Sequence, residues 1–201
     1  MRLTLMTLLL ILSLKSFSQE DYKLQINDTV FDISVDSDYT IDVKGREVRL
    51  RLIAKDTLIY SNDMYSFKYY KDHRVSHMKI DEGIEQIMLI TVEGSGVLIQ
   101  KFSMFNPTML NEMMISEVTK ESLSYGYEMQ REEYKRKLKS GQEIRVDRAI
   151  LKYKDETNIY EVATIGKKDE GILIMTMVMD EKLSEQGGKI IDLMWNSLIY
   201  K

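Results

Sequence analysis

The sequence predicts an α+β fold, a mostly antiparallel β-sheet flanked by two main helices. Three observations predict it. Apolar residues alternate with period two through the first half of the chain. Two later segments carry apolar residues at helical spacing. The strand-like runs near the C-terminus are joined by polar stretches short enough for hairpins and too short for crossover helices.

The first strands are Phe31, Ile33, Val35, then Tyr39, Ile41, Val43, then Val48, Leu50, Leu52 interleaved with Arg49 and Arg51. Lys44-Gly45 turns the second into the third. Asp56 to Tyr60 stays extended, Ser61-Asn62-Asp63 breaks the pattern, and Tyr65, Phe67 and Tyr69 resume it. Ile87–Val92 and Val97–Phe102 read as a hairpin across Gly94-Ser95-Gly96. A phosphate-cradling loop needs a helix after its glycines, and Val97-Leu98-Ile99 prefers a strand.

The first helix is signposted by Asn106 as its cap and Pro107 at the first helical position. Leu110, Met113, Met114 and Val118 form its expected apolar stripe, and Gly126 ends it. Tyr127 to Leu138 is ambiguous between helix and strand. Ile144–Tyr153, Ile159–Ile165 and Ile172–Met179 read as strands, with Asp155–Asn158 and Gly166–Gly171 between them. A terminal helix from about Glu181 carries Leu183, Ile190, Ile191, Met194 and Leu198 on one face. Gly187-Gly188 within it marks a kink or a close backbone approach, since each glycine costs a helix roughly 1 kcal/mol.

Composition limits the chemistry. The chain has 201 residues, 44% hydrophobic and 30% charged, with one proline, two histidines and no cysteine. Thiol catalysis, zinc ribbons, iron–sulfur ligation and a lipoprotein cysteine are excluded. Met1-Arg2, an apolar stretch from Leu3 to Leu14, Lys15, and Ser16-Phe17-Ser18 before polar residues have the anatomy of a signal peptide cleaved after Ser18. The alternative is an uncleaved interfacial or anchor helix, against which stands the length of the stretch, short for a membrane span of roughly 20 residues. The domain organisation expected is therefore a signal peptide, residues 1–18, and a single α+β domain, residues 19–201, with an N-terminal β-hairpin extension. Without Arg2 and Lys15 the mature chain has 26 basic and 32 acidic residues, a formal charge of −6. A net-acidic exported chain is a poor binder of nucleic acid. No stable membrane insertion is expected after cleavage, and the expected location is the periplasm or the exterior.

The order of elements resembles the PsbP-like family. The resemblance rests on the strand Met64-Tyr65-Ser66-Phe67-Lys68-Tyr69-Tyr70, the helix after Asn106-Pro107, the three following strands and the ending Asn196-Ser197-Leu198-Ile199-Tyr200-Lys201. It covers about residues 60–201. The family's usual proline and tryptophan after the aromatic strand are replaced by Tyr70-Lys71-Asp72-His73. The resemblance implies an α/β/α sandwich used mostly as a non-catalytic binding or accessory module, with no shared catalytic residues to carry over.

Candidate sites are few. Asp72, His73 and His77 offer an Asp-His-x-x-x-His pattern, but the segment reads as extended, which separates the two rings along a strand or loop. Fourteen methionines, with Met175, Met177 and Met179 alternating and Met109, Met113 and Met114 on the helix, suit gap-filling between helix and sheet better than Cu(I) ligation. No catalytic, cofactor or metal residue is assigned, and no cofactor is expected. The run Arg131-Glu132-Glu133-Tyr134-Lys135-Arg136-Lys137-Leu138-Lys139 is locally basic, and Lys135, Arg136 and Lys137 are the expected docking patch for a protein partner. The expected function is an exported non-catalytic interaction or accessory module of the bacterial cell envelope; the alternative is a secreted or periplasmic hydrolase of unknown substrate.

Overall fold

The computed structural model describes residues 21–201, and the expected signal peptide lies outside the described residues. The chain divides into two compact units, one ending at Lys55 and one spanning Asp56–Lys201.

The first unit is built from two antiparallel hairpins. Strand β1 (Asp21–Ile26) pairs with β2 (Thr29–Ser34), and β3 (Asp38–Val43) with β4 (Arg46–Arg51). The period-two pattern buries Ile33 and Ile41, while Val48 of the expected inward set is 40% exposed. The Ser34 amide donates to the Tyr39 hydroxyl at 2.6 Å, tying one hairpin to the next.

The second unit is a seven-stranded antiparallel sheet between two helical layers. Its strands are β7 (Ser76–Asp81), β8 (Ile84–Ile90), β9 (Gly96–Phe102), β10 (Glu128–Lys137), β11 (Glu143–Tyr153), β12 (Glu156–Lys167) and β13 (Glu170–Val178). Their spatial order is β10-β11-β12-β13-β9-β8-β7, so β10 and β7 are the two edges. Period-two alternation sends successive side chains to opposite faces. Leu173 and Met175 join Ala149, Val162 and Phe102 beneath helix α1 (Asn111–Ser124), where Ile115 is fully buried. Ile172 and Ile174 join Val146, Ile99 and Ile87 on the other face, beneath helix α2 (Glu185–Ser197). A small sheet of β5 (Thr57–Ser61), β6 (Tyr65–Tyr70) and β14 (Ile199–Tyr200) shares that second core through Tyr65 and Phe67. Lys101 of β9 reaches Asp63 in the turn before β6, with Nζ donating to both carboxylate oxygens at 2.7 and 2.9 Å.

Local chemistry explains the elements. Asn106 caps a short 3₁₀ turn, Pro107–Met109, its side-chain oxygen accepting from the Thr108 amide at 3.0 Å, and the α-helix starts only at Asn111. That offset turns the helix so that Ile115 and Thr119 point inward and Met113, an expected stripe residue, is 59% exposed. The β8–β9 hairpin forms as expected, and its backbone closes so tightly that a Cβ on Gly96 would lie 2.1 Å from the Leu89 carbonyl oxygen. Gly187 is the expected close approach: a Cβ there would lie 2.3 Å from the Ser95 Cβ, whereas Gly188 has open space. The Ser95 hydroxyl accepts from the Met179 amide at 2.8 Å and contacts the Ser184 hydroxyl at 2.6 Å, which fastens the start of α2 to the hairpin.

Candidate interaction surface

The ambiguous segment after α1 is strand β10, ten residues long at the edge of the main sheet. It pairs with β11 in a register that sets Glu132 opposite Arg148, Glu133 opposite Asp147, Tyr134 opposite Val146, Lys135 opposite Arg145 and Lys137 opposite Glu143. No strand among the described residues pairs with its outer side. Such an edge presents a row of backbone donors and acceptors to any extended chain that approaches it.

The pleat divides the expected docking patch. Lys135 and Lys137 point to the α1 side of the sheet, and Arg136 points to the α2 side. There the Arg136 guanidinium lies 4.9 Å from the centre of the Trp195 ring, and one of its nitrogens donates to the Tyr134 hydroxyl at 3.3 Å. The Tyr134 hydroxyl donates in turn to Glu161 at 2.7 Å, and burial raises the pKa of that phenol. Arg136 is therefore held by the fold, and Lys135 and Lys137 are the exposed part of the patch.

Charge on β10 is ordered along the strand. Lys135 Nζ meets Glu143 Oε1 at 2.8 Å, and the two hold each other charged, the ammonium pKa raised and the carboxyl pKa lowered. Arg145 bridges Glu133 at 3.1 Å and the buried Asp147 at 2.9 Å. Asp147 also accepts from the Asn111 side-chain amide at 2.7 Å, which anchors the first turn of α1. Arg131 makes two bonds to Glu112 of α1, at 3.2 and 3.0 Å. Directly opposite positions thus carry like charges at Lys135/Arg145 and Glu133/Asp147, and the compensating contacts run diagonally. Like charges face to face weaken a strand pair, and diagonal neighbours remain within reach of long side chains.

The histidines lie apart in their bonding. His73, in the turn after β6, has Nδ1 at 3.0 Å from Asp72 Oδ1 and Nε2 at 3.1 Å from the Gln186 amide nitrogen. These residues line a cavity of about 450 Å³ with Tyr70, Glu93, Glu185 and Lys189. His77, on β7, faces Glu85 at 3.6 Å. A general base needs one ring nitrogen directed at the substrate; in His73 both nitrogens are engaged by neighbouring side chains. The methionines divide: Met114, Met175 and Met177 pack in the core beneath α1, the Met179 sulfur accepts from the Tyr160 hydroxyl at 3.4 Å, and Met109 and Met113, expected to fill gaps, are exposed.

Sequence reasoning missed the polar row Glu132, Arg148, Glu161, Thr176, which crosses four strands on the α2 side. Its signal was present, since Arg148 follows Ile144 and Val146 at period two, and Glu161 stands between Ile159 and Ala163.

The seven-stranded antiparallel sheet with a helix on each face defines an α+β sandwich. Among solved structures the chain is similar to the solution structure of cyanobacterial PsbP (CyanoP) from Synechocystis sp. PCC 6803, with a TM-score of 0.46 and 12% identity, covering 73% of this chain and 93% of that one. No protein-family model matches the chain, and no curated protein matches it.

Proposed function

We propose that this chain is an exported, non-catalytic accessory module of the bacterial cell envelope that works by accepting a strand from a protein partner along β10. The observation that carries this reading is the open ten-residue edge, with Lys135 and Lys137 exposed beside it. Main-chain hydrogen bonds supply affinity in such strand addition, and the side chains flanking the edge select the partner. Export is supported by the charged start, apolar stretch and small-residue site of residues 1–18. Among the described residues no helix is long and apolar enough to cross a membrane.

A photo-crosslinking residue placed at Lys137 in the full chain, expressed in a bacterial envelope, tests the reading. An adduct of defined mass is expected at Lys137 and not at Asp155, an exposed turn position beyond the opposite end of β11 from Lys137. Equal labelling at the two positions would overturn it. The mature protein should begin at Gln19, and a retained Met1 would contradict export by cleavage.

A further inference from the structure

We propose that the strand β10 accepts is β10 of a second copy of this chain, paired antiparallel about a two-fold axis at Tyr134. The inference rests on the edge-strand reading above and names its partner.

Geometry restricts the choice of register. Directly opposed residues of an antiparallel pair point to the same face. A two-fold axis perpendicular to the sheet must therefore lie midway between a residue of β10 and the same residue of the copy, so that odd positions meet odd and even meet even. Charge then selects the residue. Centring on Glu132, Glu133 or Lys135 brings a side chain onto its own copy and places like charges on the axis. Centring on Tyr134 makes Glu132-Glu133-Tyr134-Lys135-Arg136 self-complementary. Glu133 then faces the partner's Lys135, a contact that occurs twice, and Glu132 falls opposite the partner's Arg136, whose guanidinium stays against Trp195 and Tyr134. Arg131 falls opposite the partner's Lys137, and its charge is already met by the two bonds to Glu112.

The existing pairing with β11 strengthens the case. Lys135 and Glu133 each stand directly opposite a like charge on that side. A second β10 would set an unlike charge directly opposite each of them on the other side. Charged edge strands ordinarily discourage association. Here the order of charge around Tyr134 suits a copy running the opposite way. The product would be one continuous fourteen-stranded sheet through two copies of the seven-stranded one.

The test uses sedimentation and light scattering on the mature full chain with Glu133→Lys, Lys135→Glu, and a one-to-one mixture of the two variants. Wild type should be a dimer, and each single variant should self-associate about thirtyfold more weakly, because two unlike contacts become like ones. The mixture should recover the dimer, since lysines at 133 and 135 on one copy then face glutamates on the other. Recovery on mixing also shows that both variants are folded. A monomeric wild type up to about 1 mM, or single variants that dimerise as tightly as wild type, would overturn the proposal. A monomeric wild type whose Lys137 crosslinks to a different protein would overturn the second-copy assignment and leave the edge-strand reading standing.

Discussion

Replacing Gly187 and Gly188 singly by alanine should move stability in opposite directions, although the two residues are adjacent in one helix. At Gly187 the new Cβ would lie 2.3 Å from the Ser95 Cβ and 3.3 Å from its hydroxyl oxygen. Carbon atoms pack at about 3.5–4.0 Å, so more than an ångström of overlap must be relieved. Ser95 cannot swing aside freely, because its hydroxyl accepts the Met179 amide and contacts Ser184. Overpacking of this kind costs about 1–3 kcal/mol, offset by about 0.8–1 kcal/mol of helix propensity. With the backbone approach this close, Gly187→Ala should lose about 1–2 kcal/mol. Gly188 meets nothing within 4 Å, so Gly188→Ala should keep the propensity term and gain about 0.5–1 kcal/mol. For a chain of this size the two variants should melt roughly 4–10 °C apart. Thermal melts and urea titrations followed by circular dichroism measure the difference, and a Gly187→Ala variant as stable as Gly188→Ala would refute the close approach.

Other consequences can be checked separately. Lys101 hydrogen-bonds the Asp63 carboxylate and holds its pKa below the ordinary value of 3.8. A depressed carboxyl contributes stability that is complete above the ordinary value and is lost as pH falls through the folded value. Asp63→Asn should therefore flatten the stability profile below about pH 4, and an unchanged acid limb in urea titrations would contradict the pairing. Ile115→Ala should cost about 2–5 kcal/mol, because the side chain is fully buried and the β-sheet beneath it cannot close the gap; a loss under about 1 kcal/mol would place α1 elsewhere. Trp195 is the only tryptophan, so its fluorescence should shift in Arg136→Ala and stay unchanged in Lys135→Ala. Equal spectra for the two variants would contradict the stacking of Arg136 on that ring.

Much of the fold was legible because burial on one face imposes a period. Ile172 to Met179 alternates between two cores, and the short polar stretches around it can join only antiparallel neighbours. The cap at Asn106 was also legible, but it opens a 3₁₀ turn, and that one-turn delay moved Met113 outward. Strand β10 escaped for a physical reason. An edge strand with polar contacts on both faces has no apolar alternation to read, and Glu128 to Lys137 contains only Met129 and Tyr134 as large apolar or aromatic side chains. Three consecutive basic residues look like one patch in the sequence, and only the pleat reveals that Arg136 turns away toward Trp195. The polar row through Arg148 and Glu161 depended on the register of four strands, which local sequence does not specify.

Amide hydrogen exchange along β10 in the purified wild-type chain reads directly whether a second strand covers its outer edge. An edge strand directs every second amide outward, where it exchanges freely unless another strand accepts it. Consecutive amides flanking Tyr134 should be protected at concentrations where the dimer forms, and protection should be lost at alternate positions in Lys135→Glu. Fast exchange at alternate β10 amides in the wild-type chain at those concentrations would contradict it.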